Sequence, residues 1–261
     1  MTFDELGGIK EILPRSRNDA HKLIEECMLL ANVAAADYAL KNEIPMLYRV
    51  HEPPEFSRIQ KVRDFVKLLG MNFPEQPTQA DYQAVIEATK DRIDAPSIHA
   101  VLLRSMMQAF YTPENNGHFG LAFEAYTHFT SPIRRYPDLA IHRILTEMLN
   151  GVSASQLQRD FNEFAQQASE KSSKQEVAAV RIERDVEDLY KAEYMHNHLG
   201  EVYTGTVAGI TPRGVFVELD NTVEGFVPAA QLCKGEPQVI DGVSMLDPLT
   251  GKSWMLGSSM K

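Results

Sequence analysis

Between Ser16 and about Leu40, apolar residues return every third or fourth position. Leu23, Cys27, Leu30 and Ala34 trace one stripe, and Ile24, Met28 and Val33 widen it. That period predicts an amphipathic helix, with Ser16 or Asn18 as the side chain that caps its start. Pro45 and the pair Pro53-Pro54 interrupt the pattern around YRVH, marking a loop. Helical periodicity resumes from Phe56 to Leu69 and from Thr78 to about Lys90. It appears again after Pro96, through Leu102, Met106, Ala109 and Phe110.

Pro113, Asn116 and Gly117 then form a turn, and the aromatic stretch from His118 to Thr130 reads as extended or irregular. A helix follows, running towards Leu149 and ended by Asn150-Gly151. Pro132 suits a helix start, where a missing backbone donor costs least. Pro137 comes five residues later, so it either kinks the helix or moves its true start to about Tyr136. Ser155 to about Leu199 reads as one long helix. Leu157, Phe161, Phe164 and Ala168, then Val177, Val180, Val186 and Tyr190, lie opposite a densely charged face.

The period changes at Glu201. EVYTGTVAGI and VFVELD alternate, separated by the turn Thr211-Pro212-Arg213-Gly214, and VEGFVPAAQL follows a turn at Asn221. Alternation broken every ten residues or so predicts a small antiparallel barrel. The tail from Cys233 reads as loop, with SWML around Trp254 as one last strand, so the barrel is expected to be incomplete. Phe226 is expected in its core. The fold class is α+β: residues 1–199 mostly helical, residues 200–261 a partial barrel.

Composition adds limits rather than a function. The 261 residues are 44% hydrophobic and 24% charged, an ordinary globular balance. No apolar run approaches bilayer length, and MTFDELGGIK lacks the basic and apolar regions of a secretory leader. The expected location is therefore cytoplasmic, with no membrane partner. Cys27 and Cys233 stand far apart, which supports neither a disulfide framework nor a Cys-x-x-Cys zinc site. The net charge of -10 weighs against a basic nucleic-acid footprint over the whole chain. A local cationic groove inside an acidic protein is still allowed, so clustered arginines matter.

The clearest cluster is Arg134-Arg135, at the mouth of a helix within TSPIRRYPDLAIHRIL. Backbone donors and the helix dipole favour an anion there, and guanidinium adds bidentate, permanently charged donors. On residue types alone, a solvated pair or a bridge to acids on the long helix is the favoured reading, since surface ion pairs are common.

The surrounding motif goes further. His118-Phe119-Gly120-Leu121, Tyr126, Thr130-Ser131-Pro132-Ile133-Arg134-Arg135-Tyr136, Asp138 and His142 resemble the signature of the ribonuclease II / ribonuclease R (RNB) family of exoribonucleases. RNDAHKLIEECMLLAN from Arg17, YRVHEPP from Tyr48 and RIERDVEDLY from Arg181 fit the same family in order and distance. The resemblance implies a processive 3′→5′ exoribonuclease that releases nucleoside 5′-monophosphates from single-stranded RNA, monomeric in its full-length form. It implies catalytic roles for Arg134, at the scissile phosphate, and Glu183. It implies RNA contacts at Glu25, on the 3′-terminal sugar, and at Arg135 and His118. The barrel resembles an S1-type OB fold, which implies stacking or groove contacts from Tyr203, Arg213 and Phe216. Two positions depart from that pattern, Arg213 where an aromatic is common and Pro228 where a histidine is common. The barrel segment is also acidic: Arg213, Lys234, Lys252 and Lys261 face Glu201, Glu218, Asp220, Glu224, Glu236, Asp241 and Asp247.

Family members hydrolyse RNA with two magnesium ions held by aspartates in a segment of the form Asp-x-x-x-x-x-Asp-x-Asp-Asp. No such segment stands in this sequence, so no residue is assigned as a metal ligand; His118, His128 and His142 lack zinc-ligand spacing. His142 is expected to pack or hydrogen-bond beside the arginine helix. The expectation is a C-terminal part of the catalytic domain plus a partial S1-type domain, inactive alone. The alternative is a non-catalytic RNA-binding or regulatory remnant.

Overall fold

The computed structural model describes residues 1–14, 16–92, 95–240 and 242–261, without the side chains of residues 96 and 97. In chain order the elements are β1 (Thr2–Phe3), β2 (Ile9–Glu11), α1 (Asp19–Lys41), β3 (Tyr48–Val50), α2 (Phe56–Leu68), α3 (Gln79–Thr89), α4 (Ala95–Ser105) and β4 (Phe110–Thr112). After a single 3-10 turn at Phe119–Leu121 come α5 (Tyr136–Leu149) and α6 (Ala154–His196). The C-terminal part holds β5 (Gly205–Thr211), β6 (Gly214–Leu219), β7 (Glu224–Pro228), α7 (Ala229–Leu232), β8 (Gln238–Ile240), β9 (Ser244–Leu246), β10 (Ser253–Met255) and β11 (Ser259–Met260).

Two compact units emerge, neither contiguous in sequence. One comprises residues 17–83 and 105–182, the other residues 1–16, 84–104 and 183–261.

In the first unit the short antiparallel ribbon of β3 and β4 pairs Tyr48 with Thr112 and Val50 with Phe110. Its core joins Ala36 and Ala39 of α1, Leu47 and Val50, Ile141 and Ile144 of α5, and Leu157 and Ala165 of α6. Each fully buried Ile or Leu contributes about 1.5–3 kcal/mol by leaving water. Helix α1 begins with the capping box that Asn18 and His21 form, which settles the choice between the two candidate caps. Helix α5 begins at Tyr136, so Pro137 occupies its first turn and bends nothing.

Helix α1 overturns one reading of the pattern. Leu23, Ile24, Cys27, Leu30 and Ala34 face outwards, Leu30 at 72% exposure, whereas Asn32, Ala35, Ala36 and Ala39 are buried. Within this chain the larger apolar stripe is uncovered, and the inward face is the one whose small side chains let α1 approach its neighbours closely.

In the second unit β11, β5, β6 and β7 form a four-stranded antiparallel sheet, and β10, β9 and β8 a three-stranded one. Val207, Val215, Met245 and Leu256 from both sheets share one core, giving the mixed helical and sheet architecture expected. The tail was expected to be loop before SWML; β8 and β9 are instead paired strands. Asp247 explains the order there. Its enclosed carboxylate accepts from the backbone N–H of Lys234, Gly235 and Leu249 and from the Thr250 hydroxyl, tying the β9–β10 turn to the segment after α7.

Candidate functional site

The arginine pair sits on a tight turn. The Ser131 carbonyl accepts from the backbone N–H of Arg134 at 3.2 Å and of Arg135 at 3.0 Å. Ile133 and Arg134 are thereby pushed to the exposed tip, while Pro137 and Asp138 are pulled inside. The two arginines differ sharply. The Arg135 guanidinium donates through Nη2 to Asp138 Oδ1 at 2.8 Å; its side chain is 21% exposed and that of Asp138 0%. Asp138 Oδ1 also accepts from the Ser131 N–H at 2.7 Å. Arg134 is exposed, and its guanidinium has no hydrogen-bond or ion-pair partner among the described residues. Three buried polar atoms of this stretch lack a protein partner: Thr130 Oγ1, Arg135 Nε and Asp138 Oδ2.

A polar and aromatic layer supports the turn from within the same unit. Asn32, buried on α1, donates to the Tyr126 hydroxyl at 3.0 Å and accepts from the Phe129 N–H at 2.9 Å. The His142 ring stacks on Phe129, centroids 4.2 Å apart, with Nε2 2.9 Å from the Phe129 carbonyl. His142 is therefore packed and hydrogen-bonded, as expected. The Tyr111 hydroxyl meets His128 Nδ1 at 2.7 Å, Arg49 lies over the Tyr111 ring, and Glu176 holds Arg49. His118 stacks on His51 and meets Tyr126 edge-on. Burial pushes the His118 imidazole down to about 4, helped by His51 beside it. Burial first, then Arg135 and Arg49, pushes His128 down to about 3. Both rings are thus neutral near pH 7, suited to packing and hydrogen bonding rather than to proton delivery. Asn32, Arg49, Tyr111 and Glu176 were not singled out from sequence, and His128 was weighed there only as a metal ligand. Only the YRVH stretch hinted at Arg49.

Glu25 lies seven residues before Asn32 on α1. Seven residues are close to two turns, so the two share a face about 10 Å apart along the axis. Asn32 grips the Phe129 segment that leads into the arginine turn, and Glu25 therefore stands on the same side of α1. Its carboxylate is half-exposed and ion-paired with Arg17.

The remaining candidates lie in the second unit. Glu183 is exposed on α6. Tyr203 donates its hydroxyl to Glu201, a bond to a carboxylate that pushes the phenol up to about 12. Arg213 is exposed at the β5–β6 turn, where its carbonyl accepts from the Ala229 N–H at 2.8 Å. Phe216 pairs across the sheet with Phe226, ring centroids 4.9 Å apart. Phe226 corrects an expectation: it is 45% exposed rather than in the core. The alternation puts it on the outer face with Phe216, and Gly214 makes room, since a Cβ there would collide with the Phe226 ring and the Val227 carbonyl. Glu218 and Glu224 are also cross-strand partners. Burial and the neighbouring Glu218 and Asp188 raise the Glu224 carboxyl above its ordinary range. This sheet therefore offers aromatic surface beside negative charge.

Among the described residues, no three His, Cys, Asp or Glu side chains are grouped so as to hold a metal ion. The carboxylate cage that two-metal hydrolysis needs does not fit these residues. Among the described residues, likewise, no helix is long and apolar enough to cross a membrane.

Comparison with known proteins gives a family for each part. The RNB domain matches residues 1–151 and the S1 RNA binding domain matches residues 198–243. Ribonuclease R 1 of Lactococcus lactis is 42% identical over 229 residues, covering 87% of this chain and 28% of the relative. Ribonuclease R of Escherichia coli is 40% identical over 235 residues, covering 86% of this chain and 29% of the relative. The chain thus spans less than a third of the length of these relatives. In fold, it is similar to Mycoplasma genitalium RNase R in complex with ribose methylated single-stranded RNA. The TM-score is 0.89 at 24% identity, over 98% of this chain and 41% of that one.

Proposed function

Since this chain belongs to the RNB family, we propose that it is part of a processive 3′→5′ exoribonuclease acting on single-stranded RNA, and that its own share of the work is to hold the RNA. In this reading residues 1–199 belong to the catalytic domain and residues 200–261 to an S1-type RNA-binding domain. The observation that carries the reading is the unpartnered Arg134 guanidinium at the tip of the Ser131–Arg135 turn. A guanidinium held there meets a phosphodiester with two donors and stabilises charge that builds on its oxygens during attack. Family resemblance gives Glu183 the second catalytic role. Glu25 accepts from the ribose 2′-hydroxyl, the group that separates RNA from DNA. Arg135 acts from behind Arg134, and His118 contributes a neutral ring. Phe216 and Tyr203 offer stacking surface, and Arg213 a planar cation, to bases further along the strand. These contacts are to phosphate, sugar and base faces, so sequence preference is weak.

RNB enzymes generally depend on magnesium, which when bound would activate water for attack on the phosphodiester. No step through magnesium is derived from this chain, because its described residues do not form the cage. That same observation favours, as a second reading, a non-catalytic RNA-binding or regulatory role. A direct test is to incubate the chain with 5′-labelled single-stranded RNA and magnesium, with EDTA in a parallel sample. Retention of intact RNA in both is expected. Shortening from the 3′ end in magnesium alone would overturn the assignment of holding without cutting.

A further inference from the structure

We propose that Asp138 is a positioning residue that makes the two adjacent arginines unlike: it captures Arg135 as part of the turn's frame and so leaves Arg134 as the one guanidinium of the pair offered to a ligand. The role of Arg134 as the phosphate-facing group rests on the reading given above; the division between the two arginines does not.

Geometry carries the first half. Asp138 Oδ1 accepts from the Ser131 N–H and from Arg135 Nη2. The Ser131 carbonyl accepts from the N–H of Arg134 and Arg135. Ser131 is therefore tied on both sides, and residues 131–138 close into a hydrogen-bonded ring with Asp138 as the clasp. Arg134 is the member of the pair that joins this ring through its backbone N–H only. Its backbone is fixed and its side chain points out at the exposed tip.

Charge carries the second half. Asp138 is fully enclosed, and an enclosed carboxylate without a bonded cation is strongly disfavoured. The ion pair it makes is with Arg135. Were Arg135 to swing out to a phosphate, Asp138 would be left charged, buried and unpaired. Two arginines in sequence thus have different freedoms, and a phosphate approaching the turn meets Arg134 without disturbing anything. The pair is also held through one oxygen rather than a two-pronged fork, since Arg135 Nε and Asp138 Oδ2 are both buried without a partner.

Arginine-selective labelling of the whole chain with phenylglyoxal, read peptide by peptide by mass spectrometry, tests the division without RNA. In the unmodified protein Arg134 should react several-fold faster than Arg135. Asp138→Asn keeps the size of the side chain but removes its charge, and should raise the Arg135 rate towards that of Arg134. Arg49, held by Glu176 in the same unit, should stay protected in that variant. This separates release of Arg135 from general unfolding, which would expose all three. Equal rates for Arg134 and Arg135 in the unmodified protein would overturn the proposal, whatever becomes of the variant. So would an Arg135 that stays protected in folded Asp138→Asn. Repeating the labelling with single-stranded RNA should slow Arg134 and leave Arg135 unchanged. If RNA slows neither arginine, the RNA-holding role of Arg134 fails while the division by Asp138 stands or falls on the first comparison.

Discussion

A carboxylate that accepts hydrogen bonds from inside a turn ties that turn's backbone in place. Asp138 does so in one unit, Asp247 in the other. The donors around Asp247, above all the Lys234 N–H and the Thr250 hydroxyl, hold its carboxyl down at about 2. A folded value below the ordinary carboxylate range means that Asp247 stabilises the fold above about pH 4. That contribution is lost as the pH falls from there towards 2. Asp247→Asn replaces one acceptor oxygen by a donor that faces donors. Its melting temperature at pH 7 should be lower than that of the unmodified chain, and the gap should close near pH 2, as read by calorimetry. At this scale the sequence shows that two arginines and an aspartate are present three and four residues apart. It does not show which arginine the aspartate takes, because that depends on Asp138 being enclosed by the first-unit core.

At the scale of elements, periodicity located α1, α2, α5 and α6 to within a few residues, since each repeats apolar residues over several turns. It did not choose the inward face of α1. A helix with two apolar faces gives one period and no direction; here close approach selects the small Ala35, Ala36 and Ala39 side. Leu30→Gln on the outer stripe should therefore change stability by less than about 0.5 kcal/mol. Ala36→Leu should overpack the core and cost about 1–3 kcal/mol. Urea unfolding of the two variants side by side checks both. The layer under the arginine turn was illegible for a similar reason: Asn32, Tyr111 and His128 converge only after α1, β4 and the aromatic segment have packed. Its histidines give it a pH dependence. His118 and His128 are held below their ordinary value of 6.5, to about 4 and about 3, and so stay neutral in the fold. The stability they allow is complete above about pH 6.5 and falls as the pH drops through 6.5 towards 4 and 3, because the unfolded chain gains protons first. The urea midpoint should therefore decline between pH 7.5 and 5, and decline less steeply in His128→Gln. Equal slopes would show that the ring is not shielded.

At the scale of the molecule, a net charge of -10 and a C-terminal unit bearing the facing pair Glu218 and Glu224 mean that RNA is repelled by much of the surface. Binding then depends on a few cations placed where the acids are not, and Arg134 is an exposed one. The change of period at Glu201 was enough to place the β-rich part, whereas β8 and β9 were hidden because they are short and their order comes from Asp247 rather than from alternation. The central claim is that Arg134 meets a phosphate of single-stranded RNA, and it has a direct measure in the salt dependence of binding. Each phosphate neutralised on a single strand adds about 0.7 to the slope of log affinity against log salt. Titrating labelled single-stranded RNA with the chain and with Arg134→Ala across a range of salt should show weaker binding and a slope shallower by about that amount in the variant. Identical slopes and affinities would contradict the account.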